Sequence, residues 1–148
     1  MNRPTIRKPE PTETEAIIRI WLEGNTQAHP FIEPDYWASH VGYMREILPS
    51  ADVYVYEQDG DILGFVGLNS YHIAGLFIDP RHQSQGIGTS LIEFIKQKYF
   101  TLTLAVYKKN EKARQFYRKH NFIVMEERTD VNTNEKEVLM RWNRACPI

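Results

Sequence analysis

The stretch Gln83-Ser84-Gln85-Gly86-Ile87-Gly88-Thr89-Ser90 decides how this chain is read. Before it, Tyr71 to Ile78 is a strand-like run stopped by Asp79-Pro80. After it, Leu91, Ile92, Ile95 and Tyr99 fall on one helical face. A strand feeding a glycine turn and then a helix N-terminus builds an anion site. Free backbone N–H groups converge there, and the helix dipole adds about half a positive charge. Glycine suits the turn because a Cβ would block close approach of a phosphate. Two phosphate loops are excluded: a dinucleotide fingerprint needs glycine where Leu91 stands, and a Walker loop needs a lysine that Gly88-Thr89 lacks. Alone, the turn leaves two readings open, an anion cradle and a ligand-free strand–helix connection.

Upstream, Thr12-Glu13-Thr14-Glu15 has a capping-box pattern. It predicts a helix carrying Ala16, Ile17, Ile20 and Trp21, with Gly24 as its stop. His29 to Pro34 reads as a loop. A second helix is expected from Asp35 to just before Pro49, with Trp37, Val41, Met44 and Leu48 inward. Val53–Tyr56 and Ile62–Leu68 read as strands joined by the hairpin signal Asp59-Gly60. Downstream, Thr101–Val106 reads as a strand and Asn110–His120 as a helix. Phe122–Arg128 and Glu137–Trp142 read as a final strand pair. The sum is α/β: one domain over residues 1–148, with a mixed, mostly antiparallel sheet of six to seven strands flanked by about four helices.

Composition narrows the function. Eighteen Lys+Arg against nineteen Asp+Glu leave a net charge of −1, so no general affinity for nucleic acid is expected. One cysteine, Cys146, makes neither an intramolecular disulfide nor a zinc cluster; it is expected to be inert, and a reducing, cytoplasmic home is expected. No metal site is expected. No apolar run reaches the ~18 residues of a membrane span, and Met1-Asn2-Arg3-Pro4-Thr5 lacks the apolar core of a signal peptide.

A second constellation is Asn110-x-x-Ala113-x-x-Phe116-Tyr117-x-x-x-Asn121-Phe122. Asn110 stands at an N-cap position and Asn121 where the chain leaves a helix left-handed. By itself this is a well-capped amphipathic helix. Together with Asp79-Pro80 and the glycine turn, it resembles the GNAT superfamily of acyl-coenzyme-A-dependent N-acetyltransferases. Asn121 replaces the family's usual glycine, and Asn tolerates that conformation. The order of elements agrees over roughly residues 5–142. His29-Pro30-Phe31, Tyr36-Trp37, Gly64-Phe65-Val66 and Leu76-Phe77-Ile78 are similar to a group of small bacterial members, some linked to protein lysine acetylation.

The resemblance implies a division of labour. Leu76, Phe77 and Ile78 would bond the pantetheine of acetyl-coenzyme A through their backbone. Ser84, Gln85, Gly86, Ile87, Gly88 and Thr89 would cradle the pyrophosphate. Asn110 would contact the cofactor arm, and Tyr117 would protonate the departing thiolate as general acid. Many relatives place a Glu general base where this chain has Ala105. The amine must still lose a proton, so His72 and His29 are candidate acceptors, with Glu126 a third. His29, Phe31, Tyr36, Trp37 and Tyr71 fall in regions that flank the family's acceptor groove.

Lys108, Lys109, Lys112, Arg114, Arg118 and Lys119 read first as a solvated face, then as a contact for the cofactor's 3′-phosphate, and last as an RNA patch. Three functions follow: an N-acetyltransferase acting on an amine of a protein or small molecule, a non-catalytic acyl-coenzyme-A sensor, and a nucleic-acid-associated protein. The first is expected, as a monomer or homodimer, without nucleic-acid or membrane partners.

Overall fold

Alternating apolar residues through the chain pair into one seven-stranded sheet, seen in a computed structural model that describes residues 3–145. Cys146 lies outside the described residues. The chain enters through β1 (Thr5–Arg7), then α1 (Thr14–Ala28), α2 (Pro34–Ala38) and α3 (Val41–Ile47). A meander follows: β2 (Asp52–Gln58), β3 (Asp61–Asn69) and β4 (His72–Ile78). Then come α4 (Ile87–Lys96), β5 (Thr101–Tyr107), α5 (Glu111–Lys119), β6 (Ile123–Asp130) and β7 (Glu135–Asn143). The spatial order is β1-β2-β3-β4-β5-β7-β6, and every neighbouring pair is antiparallel except β4–β5. The α/β class and the mostly antiparallel sheet are as the sequence predicts.

Two cores sit on opposite faces. On one, α4 presents Ile87, Leu91, Ile92 and Ile95, all at most 3% exposed, to β3, β5 and β7; Tyr117 and Phe122 complete that layer. Each such side chain contributes about 1.5–3 kcal/mol by leaving water. On the other, Ile17, Ile18 and Ile20 of α1 pack on Val53, Val55 and Phe65.

The seam between β4 and β5 positions everything that follows. It has only two register pairs, His72↔Thr103 and Ile73↔Leu104. Beyond them Ala74 is bulged out of the β3 ladder, because Leu68 faces Ile73 while Gly67 faces Gly75. From there β4 and β5 part.

Several local expectations are corrected. The helix start is set by Glu13, not by Thr12 with Glu15: Glu13 Oε1 accepts the Glu10 N–H at 2.7 Å and both its oxygens bind Arg7, while Glu15 pairs with Arg45. Pro11 at the head of a short 3₁₀ turn moves the start upstream. Gly24 does not stop α1. It is buried mid-helix, and a Cβ there would lie 2.9 Å from the Phe77 ring, so glycine serves close helix–strand packing. The helix expected from Asp35 to Pro49 is two, because the Ser39 hydroxyl and His40 Nδ1 both bond the Tyr36 carbonyl and turn the chain. Tyr99 lies beyond the end of α4, its hydroxyl donating to Asp52 at 3.3 Å. The short β1 leaves no mark in the sequence, because three residues carry too little pattern. Among the described residues no helix is long and apolar enough to cross a membrane.

Candidate active site

A cleft of about 460 Å³ opens where β4 leaves β5. One wall is backbone: Leu76, Phe77 and Ile78 of β4, then Ser84, Gly86, Ile87, Gly88 and Thr89 of the glycine turn. Ser84 (φ 65°) and Gly86 (φ 82°) are left-handed, which turns successive amides to one side. The first bond of α4 runs from Ser90 N–H to the Gly86 carbonyl, so the amides of Ile87, Gly88 and Thr89 are left to a ligand or to water. A Cβ on Gly86 would meet no protein atom within 4 Å; the demand for glycine there comes from its φ.

Buried Asp79 fixes that turn in place. Its carboxylate accepts from the Arg81 backbone (3.0 Å), the Arg81 guanidinium (2.9 Å) and Arg19 of α1 (3.2 Å). The Arg81 hydrogen bonds, with Arg19 behind them, hold this carboxyl far below the usual carboxylate range. Its own N–H donates to Leu63 O at 2.8 Å, so α1, β3 and the turn meet at one residue. Below the turn, His120 Nε2 lies 3.2 Å from the Thr89 hydroxyl.

The opposite walls come from α1 and α5. Gly24, Ala28 and His29 stand on one side, and Asn110, Lys112, Ala113, Phe116, Tyr117 and Lys119 on the other. Tyr117 is 8% exposed, and burial alone pushes its phenol above the usual range, so the proton stays on. Its hydroxyl has no hydrogen-bond partner among the described residues. Asn110 caps α5 through Oδ1, and Asn121 ends that helix with φ 70°, as the sequence predicts. A second hollow of about 430 Å³ shares Gly24, Ala28, Gln83, Asn110 and Lys112 with the first. The two are chambers of one groove, and Lys112 Nζ bonds Gln83 Oε1 (3.4 Å) at their common wall.

Behind His29 lies an aromatic cluster. The imidazole packs against Phe31, Trp37 and Tyr107, with ring centroids 5.7, 5.2 and 5.1 Å away. Tyr36 meets Trp37 edge to face (4.9 Å), and Lys109 sits over the Phe31 ring. The Tyr107 hydroxyl donates to Asp130 at 2.6 Å. Burial, opposed by the Asn25 carbonyl, lowers the His29 pKa, so the ring is neutral near pH 7.

The predicted site residues therefore divide. Tyr117, His29, Asn110 and all the cofactor residues but Gln85 share one cleft. His72 does not line it: it stands at the closed end of the seam, its Nδ1 2.7 Å from the Thr103 hydroxyl. Burial and the nearby Arg128 charge lower its pKa. Glu126 is exposed on β6, and half-exposed Tyr71 makes no ring contact with the aromatic cluster among the described residues. Ala105 faces Leu139, with no carboxylate in the general-base position. Tyr107, Asp130, Arg19 and His120 carry no sequence signal for their places here, because each acts through a partner distant in the chain. Asp79-Pro80 marks a strand stop and a part of the family motif in the sequence, but not the anchoring role of the Asp79 carboxylate.

The chain matches the family model of the acetyltransferase (GNAT) domain over residues 49–124. It is 34% identical to the peptidyl-lysine N-acetyltransferase YiaC of Escherichia coli over 97% of each chain. The solution structure of apo YjaB from Escherichia coli superposes with a TM-score of 0.85 at 27% identity, covering 97% of this chain and all of that one. The PaiA N-acetyltransferase of Thermoplasma acidophilum, solved in complex with coenzyme A, shares the fold with a TM-score of 0.78 at 20% identity, over 96% of this chain and 99% of that one. With the cleft at the parted strands and these likenesses along its length, the chain belongs to the GNAT family and is an enzyme that transfers an acetyl group to an amine.

Proposed function

We propose that the chain transfers the acetyl group of acetyl-coenzyme A to the side-chain amine of a peptidyl lysine, in a reducing, cytoplasmic setting. The observation that carries this reading is the placement of Tyr117, a buried side chain whose hydroxyl has no hydrogen-bond partner among the described residues, in the same cleft as the open amides of α4. The residues fit the co-substrate. The first-turn amides and the α4 dipole suit a pyrophosphate, and Lys112 and Lys119 flank the cleft for further phosphate charge. Among the described residues no strand pairs with the seam side of β4 from Gly75 to Ile78, so these peptide groups suit the amides of a pantetheine arm. Acetyl-coenzyme A supplies an activated thioester.

The chain's own residues do the rest. Backbone N–H groups at the parted strand stabilise the charge that develops on the carbonyl oxygen. Tyr117 gives its proton to the departing sulfur. The burial that keeps this phenol protonated also raises the basicity of a thiolate beside it. His29, neutral and on the cleft wall, takes the proton of the incoming amine; His72 lies off the wall. Relatives named as peptidyl-lysine N-acetyltransferases support the acceptor class, and aromatic side chains behind His29 suit the alkyl stem of a lysine. The test is calorimetric titration with acetyl-coenzyme A, followed by thiol release over a panel of lysine peptides and small amines. Binding and turnover with peptides support the reading. Turnover with small amines alone removes the peptide acceptor, and no binding removes the cradle.

A further inference from the structure

The carboxamide of Asn110 faces two elements at once. Its Oδ1 accepts the Ala113 N–H at 3.2 Å, which is the N-cap bond of α5. An amide carries acceptor and donors on opposite arms, so the arm left for α1 is Nδ2, 3.3 Å from His29 Nε2. Nδ2 can only donate. Nε2 must therefore offer a lone pair, and the ring proton sits on Nδ1. That atom is enclosed with no hydrogen-bond partner among the described residues, and the Asn25 carbonyl is the backbone group that opposes loss of the ring's proton.

We propose that Asn110 is a positioning residue, whose cap-locked carboxamide holds His29 as the neutral Nδ1–H tautomer with basic Nε2 turned to the cleft. Its purpose rests on His29 being the proton acceptor of the proposed reaction. A contact this long exchanges readily for an incoming amine N–H. Once Nε2 has taken that proton, two donors face each other, the imidazolium is disfavoured, and the proton passes to water, restoring the neutral ring. The other elements packed on His29 bring Trp37 from α2, Phe31 with Lys109 above it, and Tyr107 from β5 with its hydroxyl on Asp130. Among the described residues no carboxylate lies within ion-pair distance of the ring.

The experiment separates the cap from the donor. Asn110→Asp keeps an oxygen for the Ala113 N–H, since Asp caps as well as Asn. It sets a carboxylate against Nε2 where a donor stood. Long-range ¹H–¹⁵N NMR of the full chain reads the tautomer directly, with His29 signals assigned by their loss in His29→Gln. The expected result is Nδ1–H in the native protein at pH 7. In Asn110→Asp the imidazole should stay protonated to a pH higher by about one unit or more, the effect of an adjacent opposite charge. The acid limb of kcat should move by the same amount while the unfolding midpoint holds. A native Nε2–H tautomer, or a titration unmoved in Asn110→Asp, overturns the proposal. If Asn110→Asp fails to fold, the native spectrum decides alone, and Asn110→Ser, a cap without a second arm, should give mixed tautomers. Full turnover in His29→Gln would instead remove His29 from the proton path, a result independent of the spectrum.

Discussion

The two sides of the cleft are made of different material. The β4 side is backbone: a parted strand, left-handed residues at 84 and 86, and the open first turn of α4. The α1 side is side chains, with His29 and Phe31 from the loop between α1 and α2, Trp37 from α2 and Tyr107 from β5. A backbone wall recognises groups that never change, such as a pyrophosphate or an amide arm, and tolerates variation in its side chains. A wall of side chains is where a partner that differs from one enzyme to the next is chosen. Substitutions should therefore separate cleanly into those felt by the cofactor and those felt by the acceptor.

Gly86→Val should have the largest effect. A β-branched residue at φ 82° carries about 1–2 kcal/mol of local strain and fills the turn, so calorimetry with acetyl-coenzyme A should show no binding. Retained affinity would break the assignment of the backbone wall. Tyr117→Phe should lower kcat at least about tenfold, and up to the roughly 10²–10⁴-fold that general acids contribute, and leave cofactor affinity nearly unchanged. Unchanged kcat takes Tyr117 out of the chemistry.

Asp79→Asn should loosen the join between α1 and the turn. Loss of its charged hydrogen bonds should cost about 1–3 kcal/mol in urea unfolding and raise the KM for acetyl-coenzyme A several-fold. The sign with pH is fixed. The folded carboxyl titrates below its unfolded value near 3.9, so its contribution is full above about pH 4 and is lost as pH falls further. Unfolding series near neutrality and near pH 3 should show the native-to-variant gap shrinking in acid; a constant gap would mean the charge does not hold the turn. Phe31→Ala should have the smallest measurable effect, up to about tenfold on the KM for a lysine peptide, from the loss of ring contacts, with cofactor affinity intact. Tyr71→Ala should change neither, and a matching loss there would move the acceptor site.

The same difference explains what the sequence made legible. The glycine turn, the α5 cap and the left-handed Asn121 are local: each requirement is met by residues a few positions apart. The aromatic wall is not. His29 meets Asn110 across 81 positions, and Tyr107 meets Asp130 across 23. No periodicity reports such pairs. Gly24 misled for the same reason: a glycine inside a helix reads as a stop until Phe77 is seen beside it. His72 and His29 were equivalent as residue types, and only the two-pair seam separates the one at its closed end from the one on the cleft.

That seam also has a signature in time. Neighbouring peptide groups along a strand point to opposite sides, so about half of those from Gly75 to Ile78 turn away from β3 toward a strand that has left. Deuterium should enter these alternate amides early in an exchange experiment, while their neighbours, bonded to β3, hold hydrogen as long as the sheet core does. A single strand exchanging as two interleaved populations would mark, residue by residue, where the missing partner belongs.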